Sequence, residues 1–144
     1  RMRDFTPGNA LPRLFDQVFL CAPDLDDTAL ESGQPMGDVH ELARCVTVYH
    51  NRGDVAMHIS DYTKGNPDRL GGNGAARPAF LHNKVHTVDC TPVVEGLVEH
   101  SYYLCGQPNR DIRCSIASLA LDDSQRGRQR SQDLPNVWCL PKPK

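Results

Sequence analysis

The chain has 144 residues, 16 Lys and Arg against 18 Asp and Glu, and 39% hydrophobic residues, which suits one domain with a real core. A net charge of −2 excludes a polycation, so neither nucleic acid nor an anionic membrane surface is the expected partner. No apolar run of about 18 residues is present, so no bilayer span is expected, and residues 1–7 carry no apolar leader stretch.

The segment from Phe5 to Asp16 contains Pro7, Gly8 and Pro12 and reads as a loop or short helix. Gln17 to Ala22 is a continuous apolar run stopped by Pro23, the pattern of a strand buried on both faces. Asp24, Asp26, Asp27 and Thr28 follow directly. Acidic and hydroxyl side chains there suit the first turn of a helix, where they cap free N–H groups and meet the positive dipole end. Gly33 and Pro35 interrupt that helix, and Asp38 to Ala43 forms a second helical stretch.

Cys45 to Tyr49 is β-branched and apolar, a second buried strand. His50 to Gly53 is a turn, and Asp54 opens a helix-like run through Val55, Ala56, Met57 and Ile59. Thr63 to Pro78 is a long loop with a Gly-Gly-Asn-Gly run at 71–74; no Lys-Ser/Thr follows that run, so it reads as a lid or crossing loop rather than a phosphate cradle. Lys84 to Asp89 is a third strand, followed by a connector to His100. A last helix is expected from Asn109 through Ile112, Ile116, Leu119 and Ala120. Beyond residue 121 the composition turns polar, and Asp122 to Asp133 is expected to be mobile. The domain is therefore taken as 1–121, with 122–144 a polar, Pro-containing tail that Trp138 anchors.

Alternating buried strands and helices imply a parallel sheet with helices on its faces, a partial three-layer α/β/α sandwich. Three strands are few for such a sheet, and both of its edges would be open.

Six cysteines at 21, 45, 90, 105, 114 and 139 contain no CxxC pair and read as reduced thiols, which points to the cytoplasm. Asp24, Asp26 and Asp27 fail the calcium-loop pattern, because Ala29 stands at its glycine and Pro35 at its last ligand. His82, His86 and Cys90 are spaced by four, but on a strand that interval spans roughly 13 Å, too far to share one zinc. The two histidines read as solvated strand-end groups, and no metal or cofactor is expected.

Ligands of open α/β sheets gather at the C-terminal strand ends. Asp24, Asp54 and His100 each follow a strand. An acid and then a histidine, each just past a strand, is the chain order in which α/β-hydrolases place two triad members after their serine. The plain alternatives stay open: Asp54 also fits a helix N-cap, and His100 a surface loop.

Four ordered segments, Leu14 to Asp27, Val46 to Met57, Val85 to Asp89 and His100 to Tyr103, resemble the C-terminal half of a bacterial α/β-hydrolase family. That family is esterase- or lipase-like by fold and was long catalogued as a domain of unknown function. The resemblance spans about residues 10 to 120. It implies that Asp54 is the triad acid and His100 the base, with Asp24 and Asp26 near the substrate. The sequence departs from the family at the nucleophile. Serines stand at 32, 60, 101, 115, 118, 124 and 131, and none sits in Gly-x-Ser-x-Gly.

The expected function is thus that of the C-terminal segment of a serine hydrolase acting on a small carboxylic ester. It is inactive alone, and its serine lies on an upstream half that is missing or is a separate chain. The rival expectation is a non-catalytic α/β module that binds a partner or self-associates into a homo-oligomer through an open sheet edge. A metal-dependent hydrolase built on the Asp24 cluster is a third.

Overall fold

The computed structural model describes residues 4, 6–54, 68–94, 100–104 and 106–142. The expected helical run 55–59, the start of the long loop and the connector 95–99 lie outside the described residues.

Five strands form one sheet: β1 (Phe15–Cys21), β2 (Ala43–His50), β3 (Val85–Asp89), β4 (Gln129–Arg130) and β5 (Val137–Cys139), in the order β1-β2-β3-β5-β4. β1, β2, β3 and β5 are parallel to their neighbours, and only β4 runs antiparallel, against β5. The helices are α1 (Val39–Leu42), α2 (Leu70–Asn73) and α3 (Gly106–Ile116).

The apolar runs that read as strands are buried on both sides because register and the two-residue side-chain period sort them into two layers. Val18, Val46 and Val85 align across β1, β2 and β3, as do Leu20 and Val48. They pack with Leu30, Val39, Leu70 and Leu81 into one core. Cys21, Tyr49, Val88 and Trp138 align on the opposite face and pack with Tyr102, Cys90, Leu140 and Ile112. A fully buried Leu70 or Val46 contributes about 1.5–3 kcal/mol by transfer from water.

The expectation of three strands with two open edges is corrected by the C-terminal segment. Thr87 N–H donates to Asn136 O at 2.9 Å and Leu140 N–H to Asp89 O at 2.9 Å, so β5 covers the edge of β3. β1 remains an edge strand. Three residues are too few for a period to be legible, which hid β5 inside an apparent tail.

The stretch expected to be mobile is held as well. Arg126 is 2% exposed, and its Nε donates to Asp111 Oδ1 at 2.6 Å. Its Nη2 donates to Ser115 Oγ, and Tyr49 Oη donates to Asp111 Oδ2 at 2.6 Å. Pro108, Asp111 and Ser115 form the buried face of α3, so this helix docks on the sheet partly through a polar network. α3 starts at Gly106 and stops at Ile116, earlier at both ends than expected, because Ser118 adopts φ +60° and Leu119 N–H turns back to Cys114 O at 3.0 Å.

No helix starts directly after β1, where the aspartates predicted one; α1 begins only at Val39. Residues 26–34 form successive turns, with Ala29 N–H on Asp26 O at 2.9 Å and Glu31 N–H on Thr28 O at 2.9 Å. Asp24 and Asp26 are drawn to the Arg69 side chain instead, at 3.6 and 3.1 Å. A buried guanidinium holds a carboxylate more strongly than a helix cap would.

The Gly-rich run is a packing device. A Cβ on Gly71 would stand 2.6 Å from Ala22 C and 2.7 Å from Pro23 N, so only glycine lets α2 lie against the end of β1. Gly74 has φ +78°, and a Cβ there would stand 2.8 Å from His50 Nε2.

Candidate functional site

β2 ends at His50, and the chain turns at once. Asn51 N–H is held by Gly71 O at 2.9 Å, while Asn51 Oδ1 accepts from Gly53 N–H at 3.0 Å. Asp54 N–H donates back to Asn51 O at 3.2 Å, closing a tight Asx-type turn. This turn aims the Asp54 side chain inward, where it is 0% exposed.

His100, 46 residues further along the chain, meets Asp54 at this strand end. It opens a short turn in which Leu104 N–H donates to Ser101 O at 3.0 Å. Tyr102, two residues on, is buried, and its Oη donates to Tyr49 O at 2.9 Å. Its ring meets Tyr103 edge-on at 5.7 Å. The His100 turn is therefore pinned to the strand that leads into Asp54.

His100 Nδ1 lies 2.8 Å from Asp54 Oδ2. The carboxylate is fully buried, whereas the imidazole is 48% exposed. An ionised carboxylate can only accept, so Nδ1 carries the proton and donates it. Nε2 is the nitrogen left to take a proton from a reacting group.

Of the four residues singled out, the structure brings Asp54 and His100 together and ties Asp24 and Asp26 to Arg69. Among the described residues no group of three His, Cys, Asp or Glu side chains could hold a metal. His82 stacks on His40 at 3.9 Å. His86 is buried rather than solvated, a correction that follows from β5 covering β3. Burial also pushes the Cys21 thiol up to about 11 and keeps the His50 imidazole below its usual range. The described cysteines at 21, 45, 90, 114 and 139 are free thiols. No helix among the described residues is long and apolar enough to cross a membrane.

Sequence reasoning missed Asn51, whose turn sets Asp54, and Asp111 with Arg126, which tie α3 to the C-terminal segment. Asn51-x-Gly53 carried a turn signal for the first. Nothing local marked the second pair, which lie 15 residues apart.

The family model described as alpha/beta hydrolase of unknown function (DUF900) matches residues 1–110. The chain belongs to this α/β-hydrolase family. No curated protein and no solved structure matches it. The mostly parallel sheet with flanking helices has the α/β character of that family, and the domain is hydrolase-like.

Proposed function

We propose that the chain supplies the acid and the base of a Ser-His-Asp triad in an esterase-like hydrolase of carboxylic esters, with Asp54 as the acid and His100 as the base. The observation that carries this reading is the 2.8 Å contact between a half-exposed imidazole and a fully buried carboxylate. In this mechanism His100 Nε2 removes the serine proton and later returns it to the leaving alcohol. Asp54 holds the Nδ1–H tautomer and stabilises the positive ring.

The nucleophile comes from a strand outside the described sheet. Among the described residues β1 is one of its two edges and pairs only with β2, and Leu14 and Phe15 at its start are 55% and 52% exposed. A parallel strand laid on this edge, from an upstream segment or a companion chain, brings its following turn to the same C-terminal strand ends. Asp24 and Asp26, just beyond β1 and steadied by Arg69, then face the substrate side of the cleft. The free thiols support a reducing compartment, the cytoplasm.

The same exposed edge favours a second reading, a non-catalytic module that self-associates through β1. A serine-directed fluorophosphonate probe, a short-chain p-nitrophenyl ester and sedimentation separate the two. The material assayed is the protein isolated with any chain that accompanies it. The triad reading expects labelling, and turnover that falls by roughly 10³-fold or more in His100→Ala. Unchanged turnover in that variant removes His100 from the chemistry. A homo-oligomer that never labels supports the binding module.

A further inference from the structure

The catalytic reading concerns the C-terminal strand ends. The opposite ends of the same strands carry a second feature. Gln17 and Cys45 are in register near the starts of β1 and β2, and His86 stands near the start of β3. Together they line a cavity of about 310 Å³ beneath the turn after α3. A second cavity, of about 410 Å³, shares Asn83, His86 and Leu121 with it. Among the described residues the two linings include Arg44, Lys84, Arg126 and Arg130 and no carboxylate, in a chain whose net charge is −2; outside the linings, the exposed Asp16 Oδ1 lies 3.6 Å from Arg44 Nε, so an anion here would compete with that solvated pair.

The buried charge behind this wall does not balance. Arg126 Nε and Arg128 Nη1 both reach Asp111, at 2.6 and 3.4 Å. The side chains of Arg126, Arg128 and Asp111 are 2%, 0% and 0% exposed, so two buried guanidinium groups share one carboxylate. The other partners of Arg128 are Leu121 O, at 2.9 and 2.8 Å, and the face of Trp138, at 4.1 Å; none of these carries a full charge. One buried positive charge in excess is expensive unless an anion approaches it.

His86 reports the same field. It is 6% exposed, and its Nδ1 is buried without a hydrogen-bond partner. Burial first, then Arg128, Arg126 and Arg130, push its pKa down to about 4. Lys84, beside it, spends its ammonium on a carbonyl, His40 O at 3.3 Å.

We propose that these joined cavities bind a small oxyanion, a phosphate or a carboxylate, held by Lys84, Arg44 and His86. The anion offsets the excess charge of the Arg126–Arg128–Asp111 cluster and gives the His86 ring the acceptor it lacks, since a neutral or protonated imidazole donates through at least one nitrogen. The inference does not depend on the Asp54–His100 pair.

The test is an NMR titration of the His86 ring and Lys84 ammonium with inorganic phosphate, and separately with acetate, at constant ionic strength set by NaCl. A saturable shift of His86 is expected for at least one of the two anions, with His100 unmoved. Arg44→Gln and Lys84→Gln should each weaken binding about tenfold, near 1.4 kcal/mol. Arg44 is a surface residue, so that variant keeps the test decisive if Lys84→Gln does not fold. A linear response equal to that of chloride, or saturation unchanged in Arg44→Gln, overturns the proposal. Saturation by phosphate alone identifies a phosphate group as the ligand head, and by acetate alone a carboxylate.

Discussion

Replacing Asp111 by Ala removes the one carboxylate that Arg126, Arg128 and the Tyr49 hydroxyl share. All three ionic side chains are at least 98% buried, so the change leaves two guanidinium groups and a phenol without the carboxylate they share. Breaking a buried ion pair from one side costs about 3–5 kcal/mol, and an orphaned buried hydroxyl adds about 1 kcal/mol or more, not fully additively. Against a typical total of about 5–15 kcal/mol, that is a large share. With a urea slope of about 2 kcal/mol/M, the midpoint should fall by roughly 2 M. Trp138, the only tryptophan, sits 3% exposed with the Arg128 guanidinium 4.1 Å from its ring, so its fluorescence follows this region directly. Asp111→Asn, which keeps an acceptor but not the charge, should fall between. A loss under about 1 kcal/mol in Asp111→Ala would refute the claim that this cluster binds α3 and the C-terminal strands to the sheet.

Other substitutions probe the strand ends. Gly74→Ala puts a Cβ 2.8 Å from the His50 ring at φ +78°, and thermal unfolding should register a loss above about 1 kcal/mol. Tyr102→Phe removes the hydrogen bond to Tyr49 O; chemical denaturation should lose about 1–2 kcal/mol, with faster amide exchange in the His100 turn. His86 makes stability depend on pH. Its folded pKa lies near 4 against 6.5 in a free side chain, so the unfolded chain binds the extra proton between those values. Stability is full above pH 6.5 and declines as pH falls toward 4, by up to about 3 kcal/mol. His86→Gln should flatten that part of the curve, and an unchanged slope would contradict the assignment.

Much of this fold is written in local pattern. Val46, Val48, Val85 and Val88 announce central strands, and the register of β1 to β3 follows from runs that are apolar on both faces. The pairing of Asp54 with His100 was legible only through the order of strand ends and the family resemblance, because 46 residues separate them. What sequence reading missed was decided at long range. The aspartates after β1 had every mark of a helix start, yet Arg69, more than 40 residues away, took them. Asp111 lies in the last helix and Arg126 in the stretch read as a polar tail, and only packing turns them into a core. β5 is too short to reveal itself, and its identity as a strand comes entirely from the free edge of β3.

The central claim is that a buried carboxylate fixes His100 with its working nitrogen free. Long-range ¹H–¹⁵N correlation of the His100 ring, in the protein and in Asp54→Ala, tests it most directly. The account predicts the Nδ1–H tautomer at neutral pH with a strongly downfield Nδ1 proton, and mixed tautomers with that proton lost in the variant. An Nε2–H tautomer in the unaltered protein, or spectra indifferent to Asp54→Ala, would contradict it.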